Sequence, residues 1–135
     1  MEALVKRIGP KGMSRSYAPG KWTLREVIGH LSDAERIFGY RLLRIARGDQ
    51  TPLAGFDENT YVPAAGFERR PLKAVAAEFA SVRDATLTLL DGMTPEALAL
   101  RGTASDKPIS ARALVYIIAG HEKHHLGVIK ERYLK

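Results

Sequence analysis

The chain has 135 residues, 45% of them apolar and 27% charged, with a formal charge of +6 and no cysteine. That length fits a single domain spanning residues 1–135, large enough to bury a core without covalent staples. Without cysteine, disulfides, thiolate nucleophiles, iron–sulfur clusters and cysteine zinc sites are excluded, so any metal must sit on imidazole, carboxylate or water. The N-terminal MEALVKRIGPKG lacks the apolar stretch of a signal peptide, and no segment approaches the ~20 apolar residues of a membrane span. A cytoplasmic location without membrane association is therefore expected. Lysine and arginine are interspersed with acidic residues and no recognition motif accompanies them, so a nucleic-acid partner is not expected.

Residues 2–8 suit a short helix that Gly9, Pro10 and Gly12 would break, and Tyr17-Ala18-Pro19-Gly20 reads as a turn. Thr23-Leu24-Arg25-Glu26 forms a capping box that starts a long helix. Leu24, Val27, Ile28, Leu31, Ala34, Ile37, Phe38, Leu42 and Ile45 recur at three- and four-residue steps along it, and Gly48 supplies a stop. Residues 48–70, with Pro52, Gly55, Pro63 and Gly66, read as a long ordered loop suited to contact a substrate. Pro71 fits the first position of a second long helix with Leu72, Val75, Ala76, Phe79, Val82, Ala85, Thr86 and Leu89 on its buried stripe, closed by Asp91-Gly92. Thr94-Pro95-Glu96 opens a short helical turn, and Arg101 to Lys107 reads as a loop. Ser110 caps the last helix, whose positions 114, 117, 118, 121, 125, 128 and 129 share one stripe. No window alternates as a strand would. The pattern predicts an all-α antiparallel bundle with a short or broken first helix.

Four histidines occur, His30 on the first long helix and His121, His124 and His125 on the last. On a helix advancing about 100° per residue, His121 and His125 lie about 40° apart, one turn above the other. Both continue the apolar stripe, as His30 does between Val27, Leu31 and Ala34. Three buried imidazoles without a ligand would leave ring nitrogens wanting partners at about 1–3 kcal/mol each, which a shared cation would remove. His30, His121 and His125 are thus the expected ligands of one divalent metal, with positions left open for water or substrate. His124 is expected on the surface or just outside the ligand set. Asp33, three residues after His30, would orient a ligand imidazole or lie on the helix surface. Arg41, Arg44 and Arg47 fit either an anion-binding face or, more simply, a solvated basic one.

His121-Glu122-Lys123-His124-His125 also satisfies the H-E-x-x-H pattern of zinc metallopeptidases, where the glutamate is the general base. No third histidine follows, and only Glu131 stands in its place. A second resemblance covers more of the chain. Tyr17-Ala18-Pro19-Gly20-Lys21-Trp22-Thr23, Glu26 through Arg36, and Ala119-Gly120-His121-Glu122-Lys123-His124-His125 resemble the DinB-like (YfiT-like) superfamily. The similarity continues through Tyr40-Arg41, Ala46-Arg47-Gly48-Asp49, Pro52 to Asp57 and Glu131-Arg132-Tyr133, spanning about residues 17–135.

That resemblance implies a four-helix bundle, often homodimeric, in which His30, His121 and His125 bind zinc, nickel or a similar ion; iron, manganese and copper suit the same donors. It also implies a small-molecule substrate and, in part of the superfamily, activation of a low-molecular-weight thiol for transfer to an electrophile. Water activation by the same site would make the protein a hydrolase, with Glu122 or Asp33 as the proton carrier. The third reading is a non-catalytic, metal-binding or stress-related bundle.

Overall fold

The computed structural model describes residues 3, 7, 8, 12 and 14–134. The expectation of a short, broken first helix falls largely outside the described residues; Ala3, Arg7, Ile8 and Gly12 are helical. Three long helices dominate: α1 (Leu24–Ala46), α3 (Leu72–Asp91) and α5 (Ala111–Val128), with the short helices α2 (Glu58–Ala65) and α4 (Pro95–Ala99) between them.

The expected caps are in place. The Thr23 hydroxyl accepts from the Glu26 amide while the Glu26 carboxylate accepts from the Thr23 amide, closing the capping box. At the other end Gly48 takes φ +81°, its amide donates to Ile45, and the Asp49 amide donates to Arg44, a Schellman stop. Pro71, Thr94 and Ser110 cap α3, α4 and α5. Pro71 thus stands one position ahead of the first helical residue, where its missing N–H costs nothing.

Two apolar clusters form the core, one at each end of α1. Leu24, Val27, Ile28 and Leu31 join Phe67, Val75, Phe79 and Ile129, with Ile8, Trp22 and Tyr133 packed against them. Leu42, Ile45 and Ala46 join Leu53, Ala104, Ala111, Leu114 and Ile118, with Leu89 alongside. The order of these contacts fixes helix direction: α5 runs against α1, whereas α3 runs with it. A 23-residue helix is ~34 Å long, so the segment after α1 must travel back along it before α3 can start. This explains why more than twenty residues separate the two helices.

Two regions expected to lack regular structure have it. The 48–70 segment contains α2, capped by Asp57, and a 3-10 turn at Phe67–Arg69. Residues 101–110 form a hairpin of β1 (Arg101–Ala104) and β2 (Lys107–Ser110), whereas Arg101 to Lys107 was expected to be a loop. Ser105 and Asp106 both take positive φ in its two-residue turn, a conformation usually signalled by Asn-Gly or Asp-Gly, so Ser-Asp hid it. Leu53 bridges Ala104 on the other side of β1, tying the crossover to the hairpin. Ile117 and Ala85, placed on buried stripes by periodicity, are exposed.

Gly29 marks a close approach: a Cβ there would lie 2.5 Å from ring atoms of buried Phe67. Gly29→Ala is therefore expected to destabilise the protein by about 1–3 kcal/mol, because the ring or α1 itself must move. Urea unfolding of the two proteins measures this; equal midpoints would show that Phe67 swings aside freely.

Candidate metal centre

Between the two apolar clusters the bundle is polar. His30 is buried on α1, and His121 and His125 reach toward it from the antiparallel α5. One ligand nitrogen from each of the three rings lies within 4.8 Å of the others, so His30 meets the pair 91 residues away. The Nε2 of His121 is 3.1 Å from Nε2 of His30 and 3.2 Å from Nε2 of His125.

That geometry tests the fit to a cation. A ring nitrogen carries either one proton or one lone pair, so His121 Nε2 can make one good hydrogen bond, not two. A divalent cation at ~2.0–2.1 Å from three imidazole nitrogens spaces them by ~2.9–3.4 Å between octahedral and tetrahedral angles. The two separations at His121 fall in that range, and one cation would take all three lone pairs.

Burial is the main cause that pushes each of the three imidazoles down to about 4, and the neighbouring rings add to it. They are therefore neutral at pH 7, the state in which an imidazole nitrogen can bind a cation. The linkage sign follows from an ordinary histidine value of 6.5 in the unfolded chain. Between 6.5 and 4 the unfolded state binds more protons, so folding stability is present above 6.5 and is lost as pH falls toward 4. Metal-free protein is thus expected to melt at progressively lower temperature from pH 7 to pH 4.5. A flat profile by circular dichroism over that interval would mean the rings protonate without cost.

Aromatic side chains enclose the rings. Trp22, just before α1, sits 5.0 Å from the His30 ring, and Phe38 packs edge-on to His121 at 5.5 Å. Tyr133, in the π-helical turn Ile129–Tyr133 that extends α5, donates its hydroxyl to the Trp22 carbonyl at 2.6 Å. Burial pushes that phenol up to about 12, so it stays a donor and anchors Trp22. A cavity of about 300 Å³ opens on this side, lined by Trp22, Tyr133 and His125 among others. A larger cleft of about 400 Å³ between α1 and α3 contains no histidine.

His124 is exposed and meets the His125 ring edge to face at 5.1 Å. Glu122 turns to α3, where its carboxylate accepts from Arg83 at 2.7 Å. The same guanidinium binds buried Glu35 in a two-pronged pair at 2.8 Å each, so Arg83 joins α1, α3 and α5. Asp33 is half-buried among Arg36, Glu78 and Arg70, and burial is the first cause raising its carboxyl above the usual range. Arg41 does not lie on a solvated face: it is buried, donating to the Ala54 carbonyl and Ser105 hydroxyl. Arg44 is held by Asp49 and Tyr40, and Arg47 is exposed.

The periodicity did not single out Trp22, Arg83 or Glu58. Glu58, in the first turn of α2, is the carboxylate whose charge acts on both His30 and His121, opposing the fall in their pKa. The Asp57 cap just before it was the one local signal that could have located it.

The sequence matches the DinB superfamily over residues 1–129. The chain belongs to the DinB superfamily. Among its relatives is an Oceanobacillus iheyensis protein named "Putative metal-dependent hydrolase", 24% identical over 93% of this chain and 73% of its own length. A Bacillus pumilus protein of the same name is 24% identical over 96% of this chain and 75% of its own. Among solved structures, YfiT from Bacillus subtilis, described as "a probable metal-dependent hydrolase with an unusual four-helix bundle topology", superposes with a TM-score of 0.77. It covers 96% of this chain and 78% of its own at 18% identity, a match of fold. This DinB-superfamily chain is accordingly a four-helix-bundle protein, with the parallel α1 and α3 described above. Among its described residues no helix is long and apolar enough to cross a membrane.

Proposed function

We propose that the protein is a metal-dependent hydrolase of small molecules, with His30, His121 and His125 holding one divalent cation, zinc or nickel. The observation that carries this reading is the crowding of two ring nitrogens around His121 Nε2, which one cation relieves and hydrogen bonding does not. The names of the 24% identical relatives support the hydrolytic chemistry. A bound cation would supply Lewis acidity toward a substrate carbonyl and acidify a water.

The chain's own residues divide the remaining work. Trp22 and Phe38 shield the imidazoles, and Tyr133 holds Trp22 in place. Glu58 is the carboxylate we assign to accept the proton of the attacking water. Glu122 would have to leave Arg83 to do so, and Asp33 lies among the charges of α3. The reading includes a homodimer. Leu87, exposed by 52%, lines an apolar cleft with Leu90, Val115 and Ile118, a surface that a second copy would cover.

The test strips the protein with chelator, reloads it with zinc or nickel, and follows hydrolysis of carboxylic esters and amides. A parallel arm follows conjugation of a small thiol to 1-chloro-2,4-dinitrobenzene. Hydrolysis is expected to appear with metal, to vanish without it and to fall in Glu58→Gln. Conjugation in place of hydrolysis would replace this reading with thiol transfer. Failure to take up metal would leave a non-catalytic bundle. Sedimentation is expected to give twice the 14.9 kDa chain mass.

A further inference from the structure

The cavity beside His125 has a wall composition that the metal ligands do not explain. Tyr17, Trp22 and Tyr133 supply three aromatic faces, Val27 and Val128 an apolar floor, and Lys21 a cation at the rim. No carboxylate is among its lining residues, although the chain has 15 acidic side chains. Two carboxylates act on groups nearby: Glu26 on Tyr133, although it is committed to the Thr23 cap, and Glu58, next to the lining residue Asn59, on His30 and His121. The walls are fixed by contacts of their own: Tyr17 and Tyr133 meet edge to face at 5.1 Å, and the Tyr133 hydroxyl holds the Trp22 backbone. The turn that ends in Lys21 is closed by its amide donating to Ala18, with Gly20 at φ +72°.

We propose that this cavity binds a small monoanion with a flat apolar body, an aryl carboxylate or a molecule of that shape, and presents it to the imidazole face through His125. The flat body lies against Trp22 and Tyr17, and the anionic group meets Lys21. About 300 Å³ is the lower end of small-molecule pockets, enough for one ring and its substituent. Aromatic walls favour a flat apolar body, and a rim of lysine without carboxylate selects against cations. As a substrate assignment the proposal rests on the hydrolase reading; as a binding site it does not.

Trp22 is the chain's single tryptophan and lies in the cavity wall, so its fluorescence reports occupancy directly. Metal-free protein is titrated with benzoate, benzamide and benzylamine, and metal content is measured separately. Saturable change of Trp22 emission is expected with benzoate in the millimolar range, weaker with benzamide and absent with benzylamine. Lys21→Met, a change at an exposed side chain, is expected to weaken benzoate about 2–5-fold and leave benzamide unchanged. Asn59→Phe, also exposed and on the cavity lining, is expected to block both ligands. Benzylamine binding as tightly as benzoate, or no saturation by any probe, overturns the proposal. Benzoate binding by a protein that takes up no metal upholds the pocket and removes the hydrolase reading. Metal uptake without benzoate binding does the reverse.

Discussion

Replacing His121 with alanine is expected to lower metal affinity by more than about 100-fold. Losing a group that merely orients a ligand typically costs ~10–100-fold, and losing a ligand costs more. His121 is the most sensitive of the three because its Nε2 is the atom both other rings approach, at 3.1 and 3.2 Å. Without it, His30 and His125 provide two donors from two helices. His30→Ala and His125→Ala are expected to follow closely, whereas His124→Ala, an exposed position, keeps its metal. Elemental mass spectrometry on untagged protein gives the stoichiometry. Thermal shift gives an independent readout: zinc at 100 times its Kd stabilises the native protein by ~2.7 kcal/mol, and His121→Ala should show none of this. Equal metal content in His121→Ala and wild type would remove the three-histidine site.

The second large effect is expected at Arg83. Its guanidinium is the shared partner of Glu35, 4% exposed, and Glu122, 19% exposed, and those hydrogen bonds push it above its ordinary arginine value. Arg83→Met leaves two carboxylates facing each other in the polar layer without a counter-charge. Removing one partner of a buried pair costs about 3–5 kcal/mol. In a chain of this size that lowers the melting temperature by roughly 10 °C or more. Neutralising both carboxylates in Arg83→Met/Glu35→Gln/Glu122→Gln should recover most of the loss, because the cost lies in the orphaned charges rather than in a missing contact. A loss below 1 kcal/mol for the single variant would mean that water solvates both carboxylates. The clamp also bears on the site, since Glu122 adjoins His121 and Glu35 lies five residues beyond His30, so metal affinity should weaken along with stability.

How far the sequence showed these features depends on the range of the interaction. The α1 boundaries were legible because a capping box and a Schellman glycine act over three to six residues. The pair His121 and His125 was legible because helical pitch alone places them on one face. The hairpin was missed because Ser105-Asp106 is an uncommon pair for its turn, and each strand has only four residues. α2 was missed because Pro63 and the flanking glycines mask eight helical residues. Arg83, Glu35 and Glu122 read singly as solvent-facing charges, and nothing local marks them as one network spanning three helices.

The sequence by itself determined the three long helices, their caps, and two imidazoles placed one turn apart, because these follow from backbone hydrogen bonding and the 3.6-residue period. Only the tertiary structure decided that α3 runs parallel to α1. It also decided that His30 meets His121 across the antiparallel pair, and that Arg83 rather than the histidine cluster claims Glu122. Those outcomes depend on which faces the two apolar clusters bring together, a choice set by packing over the whole chain rather than by any window of it.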